Sequence, residues 1–327
     1  MTAEKNTNSL LSVNDLRVYY TAEGETVEAV NGVSFELERG ETLGLVGETG
    51  AGKTTIAKAI MSILPDPPAK IKSGEILFHG EDVTHVNAKK LRQLREKMQI
   101  IFQDPFSSLN PRMTTVETIR EPLVLSGRFT KAEIDEKVEQ IMETVGLDRR
   151  FRNSYPHELD GGRRQRIGIA RALVIEPEFV VCDEPVSALD VSIQAQILNL
   201  MQDLQESRGL TYVFITHDLS VVRHISDEIC VMYLGQLVEK CPAKELFAHP
   251  IHPYTKALLS AIPIPDIHTE KKRIILKGEV TSPIEPKPGC RFAARCPHAC
   301  EQCKQPQTIR EIEPGHFISC VRAEEFA

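Results

Sequence analysis

A glycine-rich segment in the first fifth of the chain has the sequence Gly47-Glu48-Thr49-Gly50-Ala51-Gly52-Lys53-Thr54-Thr55. It fits the pattern G-x-x-x-x-G-K-S/T. Residues 42–46 before it suit a short buried strand, and residues 56–61 after it suit a helix. Because the pattern needs this strand–loop–helix context, we predict a loop that binds the phosphates of a nucleoside triphosphate. A plain glycine-rich turn with a stray lysine is the alternative.

The chemistry of such a loop follows from its backbone. Glycine lets the chain wrap closely, so that successive N–H groups point inward and form a nest for phosphate oxygens. The N-terminus of the following helix adds unpaired N–H groups and a partial positive charge. Lys53 is then predicted to reach the β- and γ-phosphates, and the hydroxyl of Thr54 to bind Mg²⁺.

Length and composition limit the class of protein. A chain of 327 residues suits one large domain with an appendage, or two domains. Its 41% hydrophobic and 26% charged residues are ordinary for a soluble globular protein. The net charge of −7 gives no global basic character that would indicate nucleic-acid binding. The sequence contains no run of about 18 apolar residues, so we expect no segment that spans a membrane.

Two further features indicate the cellular compartment. The residues from Met1 to Lys5 lack the basic and then apolar pattern of a signal peptide, so we expect the chain to stay in the cytoplasm. Five of the eight cysteines crowd the C-terminal region. In a reducing cytoplasm such a cluster favours a metal site over a set of disulfides.

Short buried strands alternate with helices along much of the chain. We predict strands at residues 11–20, 27–37, 42–46, 74–78, 99–102, 179–182 and 212–215, and a long helix at about 192–207. This alternation indicates a largely parallel α/β sheet. Residues 131–146 carry an amphipathic helical stripe, so we interpret about 104–165 as a helical insertion.

Two acidic residues follow one of the predicted buried strands. Asp183 and Glu184 come directly after residues 179–182, and in open α/β sheets ligands sit beyond the carboxyl ends of the strands. We predict that Asp183 holds Mg²⁺, through water, and that Glu184 polarises the attacking water. An ordinary polar strand end is the alternative. His217, after the neighbouring strand, is a candidate donor to the γ-phosphate, although a lone histidine in that position is more often structural.

A second pair of glycines opens a predicted helix. The segment is Leu159-Asp160-Gly161-Gly162-Arg163-Arg164-Gln165-Arg166, and the helix continues through Ala172. Two glycines at a helix start form a site for an anion. Because the chain already has one phosphate loop, we interpret this second cradle as a sign that a triphosphate is held between two chains.

These motifs, in this order, resemble the ATP-binding-cassette (ABC) family, whose signature is LSGGQ. The resemblance extends over residues 11–237. It implies an α/β nucleotide-binding domain with a P-loop core sheet, an antiparallel β subdomain and a helical subdomain. It also implies ATP and Mg²⁺ as ligands and ATP hydrolysis as the activity. On this basis we expect that domain at residues 1–246 and a small metal-bound extension at 247–327, in which Pro283, Pro286 and Pro288 mark a linker before the cysteine cluster.

The resemblance implies a role for each motif. Residues 47–54 match Walker A, 159–162 the signature, 179–183 Walker B and 187–190 the D-loop. Four single residues also match family positions: Tyr20 the aromatic residue that stacks on adenine, Gln103 the Q-loop glutamine, Glu184 the catalytic base and His217 the switch histidine. Tyr19, next to Tyr20, is a competing candidate for the stacking residue. The implied Mg²⁺ ligands are Thr54, Gln103 and Asp183. The implied catalytic residues are Lys53, Gln103, Glu184 and His217.

Two further stretches, at residues 183–194 and 252–259, resemble the ATPases of oligopeptide and dipeptide importers. Those importers have a D-type and an F-type ATPase, and residues 164–172 resemble the F-type more than the D-type. In such importers two ATPase subunits lie under two membrane permeases at the cytoplasmic face, and an external binding protein supplies the solute. The residues after Gln103 would contact the permease.

Two rival functions stand beside this interpretation. One is a soluble ABC protein that acts on nucleic acid or ribosomes, and the other is an ATP-binding module without turnover. The sequence leaves the solute open among peptides, nickel and sugars.

One residue departs from the family signature. Asp160 stands where the family has a serine that donates to the γ-phosphate of ATP on the partner chain. A carboxylate only accepts hydrogen bonds, and at about 4 Å and an effective dielectric near 20 one unit-charge repulsion costs on the order of 4 kcal/mol. We therefore predict that the composite site containing Asp160 hydrolyses ATP poorly, which favours a heterodimer over a homodimer. An Asp160 that only caps the helix is the alternative.

The C-terminal cysteines have the spacing Cys290-x5-Cys296-x6-Cys303-x16-Cys320, with Cys300 as an extra thiol. Four thiolates suit zinc or an iron–sulfur cluster, and the spacing leaves both open. Residues 289–297 resemble the C-terminal motif of the peptide-importer ATPases, some of which hold a 4Fe-4S cluster. The resemblance therefore implies Cys290, Cys296, Cys303 and Cys320 as ligands of such a cluster, with zinc as the alternative.

Overall fold

The computed structural model describes residues 9–22, 24–262, 273–276, 278 and 283–327. Residues 1–8, on which the expected lack of a signal peptide rests, lie outside these ranges. By the contacts between its residues the chain divides into a first unit, Met1–His85 with Thr216–Ala327, and a second unit, Val86–Ile215.

Strands and helices alternate through most of the described ranges. The strands are β1 (Ser9–Ala22), β2 (Glu25–Glu38), β3 (Thr42–Val46), β4 (Ala69–Phe78), β5 (Glu81–Asp82), β6 (Met98–Ile101), β7 (Phe179–Asp183), β8 (Thr211–Thr216), β9 (Glu228–Tyr233), β10 (Gln236–Pro242), β11 (Arg310–Glu313) and β12 (His316–Ile318). The helices are α1 (Lys53–Ile60), α2 (Ala88–Lys97), α3 (Thr115–Ser126), α4 (Lys131–Thr144), α5 (Gly161–Leu173), α6 (Val191–Arg208), α7 (Leu219–Ile225), α8 (Ala243–Ala248) and α9 (Pro253–Ala261). Every strand predicted from the sequence is therefore present.

The first unit contains an antiparallel sheet in the order β2-β1-β4-β5. Leu11 of β1 pairs with Leu37 on one side and Phe78 on the other, and all three side chains are buried. This sheet agrees with the antiparallel β subdomain that the resemblance implies.

The first unit also contains the strand that leads into the phosphate loop. Here β3 pairs in parallel with β9, and β10, β12 and β11 follow in antiparallel order. The predicted strand β3 is therefore parallel to its neighbour, whereas β10, β12 and β11, which were not predicted from the sequence, are antiparallel. The reason is connection length, because only a two-residue turn joins β9 to β10, and a parallel crossover needs a dozen or more residues.

The second unit combines three parallel strands with a group of helices. Strands β6, β7 and β8 pair in that order, and residues 179–183 of β7 are buried throughout. Helices α3 and α4 lie inside the predicted insertion, and α5 starts near its end. Each of α3 and α4 begins with a capping box, Thr114 with Glu117 and Thr130 with Glu133, which satisfies the first amides of the helix.

Within the first unit, residues after 247 are joined to β10 through a buried carboxylate. Glu239 on β10 is fully buried and accepts hydrogen bonds from the amides of Ile251 (2.7 Å) and His252 (3.1 Å). Its carboxylate also lies 2.8 Å from Nε2 of His316 on β12. One buried acid on β10 thus joins two later segments of the chain to the sheet.

The helices of the described ranges lack the features of membrane spans. None of them combines the length and the apolar composition that crossing a bilayer takes.

The buried His252 predicts a pH dependence of stability. Burial lowers its pKa from 6.5 to about 4, although Glu239 opposes the shift. Below pH 6.5 the unfolded chain takes up a proton that the folded chain refuses, so stability falls as pH drops toward 4. From pH 7 to pH 5 the loss at this residue is about 2 kcal/mol of unfolding free energy.

We expect His252→Asn, which keeps an acceptor for the Tyr254 amide, to lose about 2 kcal/mol less than the wild type between pH 7 and pH 5. Urea unfolding at the two pH values measures this difference. Between pH 8 and pH 7 the two proteins should change equally. Identical losses down to pH 5 would show that His252 does not titrate in this way.

Candidate functional site

The phosphate loop lies between β3 and α1 and needs glycine at two points. A Cβ on Gly47 would lie 2.3 Å from the carbonyl oxygen of Met232, and one on Gly52 would lie 2.2 Å from that of Ala29. Backbone oxygens cannot move aside as a flexible side chain can. The loop is therefore pressed against β9 and β2 at distances that only glycine allows.

Lys53, the first residue of α1, is folded back over this loop. The side chain is buried, and its ammonium group donates to the carbonyl oxygens of Gly47 (2.7 Å) and Glu48 (3.1 Å). Gly52 is the N-cap, and no side chain caps the helix. The loop thus places a cation and the amide end of a helix together, as an anion site requires.

Two residues that no sequence pattern indicated hold the loop from outside. The amide of Glu48 donates to the hydroxyl of Tyr254 (3.1 Å), and its carboxylate accepts from the guanidinium of Arg295 (2.9 Å). These partners lie 206 and 247 positions further along the chain. Such distances leave no local pattern from which either contact could have been found.

Two other predicted site residues lie in the same unit as the loop. Tyr20 is half-buried on β1, opposite Val27 of β2 and Ala69 of β4. His217 is exposed immediately after β8, next to Asp218, whose carboxylate caps α7 through the amide of Ser220 (2.8 Å).

The second unit brings Gln103 and Glu184 together. The side-chain amide of Gln103 donates to the carboxylate of Glu184 (2.9 Å). Asp183 is buried at the end of β7. Glu184 follows it with a φ of 48°, and its amide donates to the carbonyl of Ile215 (2.9 Å). A glutamate in the left-handed region costs conformational energy, and such strain is concentrated at functional sites.

Asp160 caps the signature helix α5. Its carboxylate accepts from the amide of Arg163 (2.8 Å) and also forms an ion pair with the Arg163 guanidinium. The helix-cap arrangement, named above as the alternative for this residue, is therefore present. Gly161 and Gly162 follow, and a Cβ on Gly162 would lie only 2.9 Å from Ile193 of α6. Glycine here allows the starts of α5 and α6 to pack closely.

A cavity of about 280 Å³ lies beside this helix start within the second unit. Its lining includes Asp160, Gly162, Arg150, Arg163 and Arg166. The guanidinium groups of Arg150 and Arg163 lie 4.7 and 4.5 Å from the ring centre of Phe151. Asp148 also lines the cavity, so three arginines face two carboxylates, and Arg150 and Arg163 are already paired with Asp148 and Asp160.

The metal-bound extension expected from the cysteines is not confirmed. Among the described residues, no three cysteine, histidine, aspartate or glutamate side chains are placed to hold a metal ion. Cys300 and Cys303 come within 3.7 Å of each other, and the C-terminal cysteines are free thiols. Burial, with a smaller effect of the neighbouring thiols, raises the pKa of Cys290 to about 11.

Two family descriptions match different parts of the chain. The ABC transporter family matches residues 30–187, and the C-terminal region of the oligopeptide/dipeptide transporter family matches residues 238–303. Among solved structures, CbiO1 of Clostridium perfringens, part of the ABC transporter complex CbiONQ, is 29% identical with a TM-score of 0.65, and the match covers 74% of this chain and 91% of that one. The ATP-binding cassette MJ0796, solved as a dimer with ADP and Pi, is 27% identical with a TM-score of 0.65, over 71% and 98%.

Relatives with longer matches come from Bacillus subtilis. The oligopeptide transport ATP-binding protein AppF is 48% identical over 326 residues, which cover 96% of this chain and 98% of AppF. The oligopeptide transport ATP-binding protein OppF is 48% identical over 322 residues, which cover 97% and 98%. The chain therefore belongs to the ABC transporter family, among the ATP-binding subunits of the oligopeptide/dipeptide transporters.

Proposed function

We propose that this chain hydrolyses ATP to power the import of oligopeptides or dipeptides, or a related small solute, through two partner permeases. The observation that carries the proposal is a phosphate loop with a buried lysine, in a chain 48% identical to oligopeptide transport ATP-binding proteins over nearly all of its length. The chain would lie at the cytoplasmic face of the membrane as a peripheral subunit. An extracytoplasmic solute-binding protein would deliver the cargo and select it.

The residues of the ATP site have the following proposed roles. The loop amides of residues 47–55 and Lys53 bind the phosphates, and Tyr20 stacks on adenine. Thr54, Gln103 and Asp183 offer the oxygen ligands that Mg²⁺ prefers, and the bound ion supplies charge neutralisation at the phosphates. Glu184 orients and deprotonates water, with its carboxylate held by Gln103. His217 donates to the γ-phosphate. The close fit of glycine at positions 47 and 52 supports the phosphate cradle.

We further propose that Asp160, Gly161 and Gly162 complete an ATP site on a second ATPase subunit. The glycines at the start of α5 and the dimeric structure of the related MJ0796 cassette support this pairing. The ion pair between Asp160 and Arg163 offsets part of the carboxylate charge. Asp160 still has no hydroxyl group that could donate to a phosphate. A partner with an intact signature would provide one fully active site, which favours a heterodimer.

The domain division is a proposal as well. Residues 1–246 would form the nucleotide-binding domain, with the helical insertion at about 104–165, and residues 247–327 the C-terminal extension. The transporter C-terminal family description begins at residue 238, close to the proposed boundary.

We retain a 4Fe-4S cluster on Cys290, Cys296, Cys303 and Cys320 as a proposal, with zinc as the alternative. The thiols of Cys296, Cys303 and Cys320 are close enough to raise the pKa of Cys290 after the larger effect of burial. A four-iron cluster is larger than a single ion, so its ligands stand further apart than those of zinc.

Catalysis by Glu184 is tested in the reconstituted transporter. We expect Glu184→Gln to reduce ATP turnover in proteoliposomes by at least about 100-fold, because the general base is lost, and to stop peptide uptake. ATP binding should remain, whereas Lys53→Ala should lower both binding and turnover. Co-purification with ribosomes instead of permeases would support the rival soluble ABC function.

The effect of Asp160 is tested by removing its charge. We expect Asp160→Ser and Asp160→Asn to raise turnover of the reconstituted complex by up to about tenfold, which corresponds to about 1.4 kcal/mol. Asparagine keeps the helix cap without the charge, so agreement of the two variants would assign the effect to charge. Unchanged turnover in both would show that Asp160 does not limit hydrolysis.

The iron and sulfide content of the purified protein tests the cluster proposal. Anaerobically purified protein should contain about four iron and four acid-labile sulfide atoms per chain if the cluster is present. The variant Cys290→Ser should lose both iron and sulfide. The control variant Cys182→Ser changes a buried cysteine far from Cys290 in the sequence, and it should retain both. Zinc without iron would reject the cluster.

A further inference from the structure

The segment between Cys290 and Cys296 contacts the phosphate loop directly. The guanidinium of Arg295 donates from one nitrogen to both carboxylate oxygens of Glu48, at 2.9 and 3.2 Å. Only 11% of the Arg295 side chain is exposed, against 30% for Glu48. The same guanidinium lies 3.4 Å from the hydroxyl of Tyr233, which is on β9. Arg295 therefore connects the cysteine-rich region to an acidic residue inside the loop.

The backbone of Glu48 is held by a second residue of the C-terminal region. Its amide donates to the hydroxyl of Tyr254 (3.1 Å) on α9. The Tyr254 ring packs against Tyr233 at 4.8 Å and against Phe292 at 5.3 Å between ring centres. Phe292 and Arg295 belong to one tight turn, because the Arg295 amide donates to the Phe292 carbonyl (3.0 Å). Backbone and side chain of Glu48 are thus fixed by one packed group.

A second arginine of the same turn supports the other side of the loop. Arg291, with 5% of its side chain exposed, pairs with the carboxylate of Glu28 and donates to the carbonyl of Leu234. The next residue, Gly235, donates its amide to the carbonyl of Ala51 within the loop (2.9 Å). Arg291 therefore braces the turn that holds the loop at Ala51.

The charge of Arg295 affects the phosphate loop as well as its packing. An unpaired carboxylate at Glu48, in a loop that binds a triphosphate, would repel the ligand. Burying a guanidinium is costly unless it is paired, and Nε of Arg295 is buried with no hydrogen-bond partner among the described residues. The contact with Glu48 offsets that cost and neutralises the acidic charge of the loop at the same time.

We infer that Arg295 is a positioning residue that sets the affinity of the phosphate loop for Mg-ATP by pairing with Glu48. The inference rests on the proposed function, because it concerns the same ATP site. In this arrangement the C-terminal cysteine-rich turn acts on nucleotide binding through a charge contact, without touching the nucleotide.

The test compares Mg-ATP binding by the full-length protein, measured by titration calorimetry, with turnover of the reconstituted transporter. We expect Arg295→Gln to weaken Mg-ATP binding about tenfold and to raise KM to a similar degree, with kcat at saturating ATP within about twofold of wild type. Arg295→Lys, which keeps the charge, should recover part of the affinity. An unchanged dissociation constant for Arg295→Gln would overturn the inference.

Coupling to Glu48 separates this role from general damage to the C-terminal region. In a Glu48→Gln background, the effect of Arg295→Gln should shrink from about tenfold to less than about threefold. An equal loss in both backgrounds would contradict the pairing. Arg310→Gln is the matched control, because it breaks an exposed ion pair with Glu324 in the same region, and it should leave the affinity within about twofold.

Failure of the proposed function gives a different result. If the wild-type protein does not bind Mg-ATP, or if Lys53→Ala binds it equally well, the ATP site itself is misassigned. If the wild type binds and Lys53→Ala does not, while Arg295→Gln matches the wild type, only the inference about Arg295 is wrong.

Discussion

Close contact between backbone segments at the phosphate loop is the constraint on which the first unit depends. Gly47 lies against a carbonyl of β9 and Gly52 against a carbonyl of β2, at distances that exclude any Cβ. The loop amides therefore keep their directions only while β2, β3 and β9 keep theirs. A binding site preorganised in this way spends little free energy on ordering itself when a ligand arrives.

The C-terminal region is part of that framework. The buried carboxylate of Glu239 joins β10 to the amides of residues 251 and 252 and to His316 on β12. Arg295 and Tyr254 then reach the loop at Glu48. A segment that is too short for a large core of its own thus gains stability from the sheet and in return supports the site. Its cysteines, expected to be a metal centre, are free thiols in the described residues.

The second unit supplies a different set of functional residues. Gln103 and Glu184 form one hydrogen-bonded pair, and the backbone of Glu184, directly after β7, lies in the left-handed region. Asp160 and Arg163 form another pair at the start of α5. One chain therefore has a phosphate loop in its first unit and a glycine-rich helix start, capped by Asp160, in its second.

Local sequence patterns determined the phosphate loop, the buried strand before Asp183, the glycines after Asp160 and the family, because each depends on residues within a few positions of one another. They did not indicate strands β9 to β12, three of which pair antiparallel at the edge of the sheet. Only the tertiary structure decided that Asp160 caps its helix through Arg163, that Gln103 meets Glu184, and that Arg295 and Tyr254 hold Glu48. The last two contacts join residues more than 200 positions apart, and such partners are chosen by packing and charge in the folded chain, which no local pattern records.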